Sequence, residues 1–264
     1  MKYPFEVVDW ALWDGSLTQE QAALYSDMKP VVDDMHRIDD PVLDSWYEHC
    51  QWKWKQREYA WVLEKLGTFP VGQPKVLDAG CGYTALIRYL ASKGFTSYGF
   101  DWDIHDEQSD LGRSSALMYG NLVNYHRQDI RSMKWPSDYF DTTVCVSVLE
   151  HLWAAQGLLQ KIFDKPLPIK HKFFHFQNID RALQEFIRVT KKGGAVILTM
   201  DCGYGGGIPV PVIEKLFGVT ISNFPSIETI RSYWLRDHDY MSLNRIYPST
   251  AREYTSFMAV LRKL

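Results

Sequence analysis

Lys75-Val76-Leu77-Asp78-Ala79-Gly80-Cys81-Gly82-Tyr83-Thr84 decides the fold. Val76 to Ala79 is a short apolar strand, the glycines make a turn, and helical spacing follows from about Thr84 to Lys93. Working outward, further strands are expected at Thr96 to Phe100, Leu122 to Arg127, Phe140 to Val148 and Ala195 to Met200. Helical spacing returns from Ile179 to Thr190 and is closed by Lys191-Lys192-Gly193-Gly194. Strands alternating with helices predict parallel pairing and right-handed crossovers. A weaker pattern after Gly218 allows a helix from Ser226 to Leu235, and Tyr254 to Leu261 reads as a closing antiparallel strand.

In such sheets a ligand lies beyond the carboxyl ends of the strands, where the strand order reverses. Gly80 permits a sharp turn, and Gly82 lacks the Cβ that would keep a ligand off the backbone. The start of the next helix offers free N–H groups to a carboxylate. At the end of the second strand stands Asp101, whose carboxylate suits two ribose hydroxyls, with Trp102 beside it as a flat face for adenine. Past the third strand, Asp129 suits the adenine amino group and Ile130 the ring. Taken singly, each aspartate reads equally well as a helix cap or a surface charge, and Gly80 to Ala85 also fits the dinucleotide pattern GxGxxG/A. Three acids at three successive strand ends, in the order one nucleoside needs, point to a nucleoside site.

Val76 to Gly82, Gly99-Phe100-Asp101, Gln128-Asp129-Ile130 and Phe140 to Val144 through Val148-Leu149-Glu150-His151 resemble the motifs of the class I S-adenosylmethionine-dependent methyltransferases. The nearest branch is the ubiquinone/menaquinone methyltransferase-like group acting on small molecules. The resemblance covers about Lys75 to Asp201. It implies an α/β fold: a Rossmann-like seven-stranded, mostly parallel sheet with helices on both faces. It assigns Gly80 and Gly82 to the methionine and ribose end of S-adenosylmethionine, Asp101 to the ribose and Asp129-Ile130 to the adenine. Asp78 would orient the turn, and Ser147 is counted with the cofactor-binding residues. Thr84 stands where the family often has a third glycine. The N-terminal segment and the tail after Asp201 match no pattern of the family.

Methyl transfer is an in-line displacement at an activated sulfonium, so the protein mainly supplies alignment and exclusion of water. A base is needed only where the acceptor must lose a proton. His151, directly after the fourth strand, is the candidate, with Glu150 as support for the turn. The alternative is a histidine that only packs or caps at a helix start. Gln160 to Asn178 reads as an insertion that mixes Lys165, Lys170, His171 and Lys172 with phenylalanines, either a clamp on an anionic or ring-bearing substrate or a solvated loop. His171 and His175 lie four apart but have no evident third ligand, so no metal is expected. Cys202 to Gly207 is either a flap or a plain connection, with Asp201 and Tyr204 as second-rank acceptor contacts.

The first 70 residues form the expected N-terminal helical lid or cap, and residues 71–264 the methyltransferase domain. Thr18 and Gln21 resemble a capping box before a helix from Leu17 to Met28. A second helix would begin at Asp40-Pro41 and run past Trp46, Tyr47, Trp54, Tyr59 and Trp61 to Gly67. So many aromatics suit either a helix packed across the sheet or a lid that lines a cavity.

A formal net charge of −3 argues against broad nucleic-acid binding. Four dispersed cysteines fit a reducing compartment better than a disulfide framework. The apolar stretches fall short of the roughly 20 residues that span a bilayer, and the N-terminus does not read as a signal peptide. The expectation is a cytoplasmic enzyme with a small-molecule acceptor and neither nucleic acid nor membrane as partner. A nicotinamide-dependent oxidoreductase and a non-catalytic binding subunit are the competing readings.

Overall fold

The computed structural model describes residues 4–12, 14, 16–36, 53–67, 73–82, 84–102, 110–152, 169–205, 207–226, 228–230, 232 and 253–264. Within them the strands are β1 (Phe5–Leu12), β2 (Lys75–Ala79), β3 (Thr96–Asp101), β4 (Val123–Arg127), β5 (Phe140–Val146), β6 (Thr190–Gly205) and β7 (Glu253–Lys263). The helices are α1 (Gln19–His36), α2 (Lys53–Leu66), α3 (Leu86–Ser92), α4 (Asp110–Tyr119), α5 (Ile169–Val189) and α6 (Val210–Phe217).

The strands form one seven-stranded sheet in the order β1-β7-β6-β5-β2-β3-β4. Pairing is parallel from β6 through β5, β2 and β3 to β4, and antiparallel on both sides of β7. The chain begins this run at β2, adds β3 and β4 on one side, then crosses to β5 on the other. The order reverses between β2 and β5, which sets the ligand-binding crevice at the end of β2.

Alternation along the strands divides the core. Val76, Val144 and Ile197 pack with Met28 of α1, Tyr59 and Val62 of α2 and Leu86 of α3. Their neighbours Leu77, Cys145 and Val196 face the other way, against Leu183 and Phe186 of α5 and Ile213 of α6. Both faces are thus covered, as a parallel sheet requires.

Thr18 and Gln21 make the reciprocal capping box. The Gln21 amide donates to Thr18 Oγ1 at 3.2 Å, and the Thr18 amide donates to Gln21 Oε1 at 3.1 Å. The helix runs on to His36, beyond the expected end at Met28, and Gln21 Nε2 ties it to Glu64 of α2 at 2.8 Å. Gly67 does end α2, its amide donating to the Leu63 carbonyl at 2.9 Å. The expected start at Asp40-Pro41, with Trp46 and Tyr47, lies outside the described residues.

Three features differ from the sequence reading. Phe5–Leu12, expected to be helical, is an edge strand antiparallel to β7. Its alternation is interrupted where the register shifts between Val7 and Asp9, and it carries Glu6 and Asp9, so it lacks the apolar signature of a central strand. Val210–Phe217 is a helix the sequence reading left unassigned, with Pro211 in its first turn and Gly218 left-handed (φ 66°) at its end. The end of the proposed insertion, from Ile169, is the first part of α5, which the sequence reading began only at Ile179.

Candidate functional site

Each residue of the donor turn has a geometric reason for its identity. Gly80 has φ 77°, and a Cβ built there would stand 2.6 Å from Val148 Cγ2, so the turn and the segment after β5 touch. The amides of Gly80 and Cys81 both donate to the Phe100 carbonyl, at 2.9 and 3.0 Å, which fastens the turn to the end of β3. Gly82 is also left-handed, at φ 46°.

Asp78 is fully enclosed, 2% exposed, and meets the Thr84 hydroxyl at 3.3 Å. Burial pushes its carboxyl up to about 7, with the Asp101 carboxylate adding to the rise and the Thr84 hydrogen bond opposing it. Asp101 accepts from the Gly82 amide through Oδ2 at 3.1 Å and from the Trp102 amide through Oδ1 at 2.6 Å. A carboxylate has about four lone-pair sites, so each oxygen of Asp101 keeps acceptor capacity. Trp102 is 64% exposed. With Arg127, Gln128, Asp129, Ser132 and Lys134 it borders a depression of about 430 Å³ at the ends of β3 and β4.

Asp129 lies there but is occupied. Arg131 reaches it through Nε at 2.9 and 3.2 Å, through Nη2 at 2.7 Å and through its own amide at 2.8 Å. These bonds hold the Asp129 carboxyl below its usual range, the guanidinium being the main cause. Ile130 beside it is buried against the second core face.

At the end of β5 the chain makes a second turn. Ser147 is left-handed with φ 52°, and its amide donates to the Thr199 carbonyl at 2.9 Å and to Thr199 Oγ1 at 3.1 Å. Its hydroxyl, expected on the donor side, points to Glu58 of α2, 2.8 Å from both carboxylate oxygens. Glu58 is wholly buried; it also accepts from Ser256 of β7 and pairs with Lys55, each at 2.8 Å. Glu58, Lys55 and Ser256 were missed in the sequence. Lys55 and Glu58, three apart on a helix, read as an ordinary surface pair, and only the sheet brings them over β5 and β7.

Glu150 follows within the turn, and burial pushes its carboxyl well up, with Asp201 adding to the rise and Lys55 opposing it. Its Oε2 has no hydrogen-bond partner among the described residues. His151 caps the turn through its amide, 3.0 Å from the Val148 carbonyl, and its side chain is exposed at the surface. The surrounding protein still lowers the affinity of its imidazole for a proton; the Lys55 charge lowers it further, and Asp101 opposes this.

The structure therefore gathers Asp78, Gly80, Gly82, Asp101 and Trp102 around the ends of β2 and β3, with Asp129 and Ile130 just past β4. Ser147 and His151 stand across the crevice at the end of β5. Asp201 stands at the end of the core part of β6, close enough to Glu150 to raise its proton affinity. The backbone from Cys202 to Gly205 continues β6, pairing with β7, so that part of the glycine-rich run is sheet. The side chain of Tyr204, those of His171 and His175, and the loop before Ile169 lie outside the described residues. Among the described residues no group of His, Cys, Asp and Glu side chains has the geometry to hold a metal ion.

Residues 76–165 match the family model of a methyltransferase domain. The ubiquinone biosynthesis O-methyltransferase of Shewanella sp. (strain ANA-3) is 31% identical over 133 residues, 48% of this chain and 52% of that protein. Over residues 76–165 the chain is thus similar to the methyltransferase domains of the class I S-adenosylmethionine-dependent family. The corresponding enzyme of Yersinia enterocolitica is 28% identical over 43% of this chain and 46% of its own length. The chain thus spans about half the length of the relatives it matches. Solved structures share the methyltransferase fold at low identity. The phosphoethanolamine N-methyltransferase 2 of Haemonchus contortus has a TM-score of 0.54 at 14% identity, covering 89% of this chain and 60% of that one. The [4+2]-cyclase SpnF has a TM-score of 0.50 at 16% identity, covering 92% and 96%.

Proposed function

We propose that this chain is a methyltransferase that binds S-adenosylmethionine at the ends of β2 to β4 and transfers its methyl group to oxygen or nitrogen of a small molecule. The observation that carries the reading is the tie between the donor turn and Asp101. Gly82 donates to one oxygen of a carboxylate that keeps acceptor capacity at the end of β3. That is the arrangement a ribose needs beside a glycine turn. The match of residues 76–165 to a methyltransferase domain favours this over the nicotinamide alternative.

The residues present fit the donor. Gly80 and Gly82 keep side chains away from the methionine end, Asp101 would accept from the ribose hydroxyls, and Trp102 borders the depression on the adenine side. Asp129 would contact the adenine only where Arg131 yields a lone pair; Ile130 would pack nearby. When bound, the sulfonium of the donor supplies the activated methyl group. The chain's share is alignment and exclusion of water. His151, whose surroundings lower its affinity for a proton, would take the acceptor's proton at its imidazole. A small-molecule acceptor is supported by the O-methyltransferase relatives and the net charge of −3. No helix among the described residues is long and apolar enough to cross a membrane.

Isothermal titration with S-adenosylhomocysteine tests the donor site, and Asp101→Ala should weaken it. No binding by the unsubstituted protein, together with no effect of the substitution, would remove the cofactor assignment. Mass-spectrometric screening of phenol, sugar and amine panels for gain of one methyl group tests the acceptor class.

A further inference from the structure

We propose that Glu58 is a positioning residue of the acceptor side: it clamps Ser147 and so fixes the turn that carries His151. The proposal rests on the reading of His151 as the group beside the acceptor.

Four observations meet at this point. Ser147 has left-handed backbone at φ 52°, a conformation that a side-chain-bearing residue keeps only when its surroundings impose it. Both halves of Ser147 are tied, the amide to Thr199 of β6 and the hydroxyl to Glu58 of α2. Glu58 is itself fully satisfied: the Ser147 and Ser256 hydroxyls and the Lys55 ammonium, each at 2.8 Å, converge on it. Immediately after Ser147 come Val148, whose methyl groups define the space above Gly80, then Glu150 and His151.

A buried ion pair is a poor stabilising device, because desolvation offsets much of its attraction and apolar replacements are often neutral or better. The Lys55–Glu58 pair gains a purpose when its effect is on geometry. It ties a helix from the N-terminal part of the chain to the ends of β5 and β7, and through Ser147 to the crevice. Ser147 is four residues before His151, so rotation of its peptide would move the imidazole relative to the donor turn. The charged groups around this point are Lys55 and Glu58 on α2, Glu150 and His151 in the turn itself, Asp201 on β6 and Asp101 on β3.

Ser147→Ala removes the clamp and leaves the Lys55–Glu58 pair intact. Glu58→Gln keeps an oxygen that accepts from Ser147, and Glu58→Ala removes it. The readout is the ring resonances of His151 in ¹H–¹⁵N spectra across a pH titration, alongside titration with S-adenosylhomocysteine. Ser147→Ala should move the His151 resonances, and Ser147→Ala with Glu58→Ala should move them no further than either alone, because one contact links the two. Glu58→Gln should lie nearer the unsubstituted protein than Glu58→Ala. Should Glu58→Ala fail to fold once Lys55 loses its Glu58 partner, Ser147→Ala and Ser147→Gly decide the matter. Unmoved His151 resonances in folded Ser147→Ala would overturn the proposal, as would fully additive effects of the pair. Failure of the unsubstituted protein to bind S-adenosylhomocysteine would instead strike the donor reading, which the His151 spectra do not depend on.

Discussion

The Gly82 amide stands 3.1 Å from Asp101 Oδ2, so the donor turn after β2 and the acid at the end of β3 are one hydrogen-bonded unit. Asp101→Ala therefore loses the ribose acceptor and loosens the turn together. A hydrogen bond to a charged group contributes about 1.5–3 kcal/mol, which is roughly 10- to 150-fold in affinity. Titration with S-adenosylhomocysteine should show a loss in that range.

Asp129 gives the contrasting expectation. Its oxygens are already filled by Arg131, so Asp129→Ala should weaken S-adenosylhomocysteine by less than Asp101→Ala. Arg131→Ala, which removes the guanidinium and leaves only the residue-131 amide on the carboxylate, should leave the affinity equal or improved. A loss for Asp129→Ala as large as that for Asp101→Ala would mean that Arg131 moves aside when the nucleoside binds.

Gly80→Ala combines a left-handed backbone with a methyl group 2.6 Å from Val148 Cγ2. Strain of this kind costs of order 1–3 kcal/mol, and the contact adds to it. Urea unfolding should show the loss, and Val148→Ala in the same chain should recover the part due to the contact but not the part due to φ.

The Asp78 carboxyl sets a pH dependence of stability. Its folded value, about 7, lies above its ordinary 3.8, so the folded state holds the proton more tightly than the unfolded chain. Stability from this group is greatest below about pH 4, falls as pH rises towards 7, and is flat beyond. Asp78→Asn keeps an oxygen for the Thr84 hydroxyl and removes the titration. The stability of the variant relative to the parent, from urea unfolding at pH 5 and pH 8, should be greater at pH 8. A cation bound beside Asp78 would favour its ionised form, so S-adenosylmethionine binding near neutral pH should release protons, seen as a buffer-dependent heat in calorimetry.

His151, although exposed, binds its proton less tightly than an ordinary imidazole, chiefly because the surrounding protein displaces part of its water and then through Lys55. Where it serves as the base, the acidic limb of the rate profile should have its midpoint below the usual 6.5. His151→Ala should remove that limb and lower kcat more than it raises KM, measured with whichever acceptor the methyl-gain screen identifies.

The central sheet was legible because short stretches rich in apolar and β-branched residues alternate with helical ones, as in Phe140–Val146. The acids were legible because they stand at or just past the carboxyl ends of three successive strands, Asp78 in β2, Asp101 closing β3 and Asp129 two residues beyond β4. β1 escaped because an edge strand needs only half an apolar face and this one is interrupted by a register shift. The α6 helix was legible in principle, from Pro211 at its start and Gly218 at its end, but it is short and follows a glycine-rich run. Glu58 could not be read at all. It meets Ser147, 89 residues away, and Ser256, 198 residues away, and no local pattern encodes contacts at that separation.

The placement of β7 between β1 and β6 has a consequence for how the molecule is made. During synthesis β6 emerges long before residues 253–263, and until they arrive both it and β1 present unpaired backbone along one side. Closing contacts over so long a separation is slow, and open strand edges invite pairing with other chains. Early release of the nascent chain before residue 253 would therefore leave a donor site whose strands can form beside an unguarded β edge, making aggregation the expected fate of truncated product.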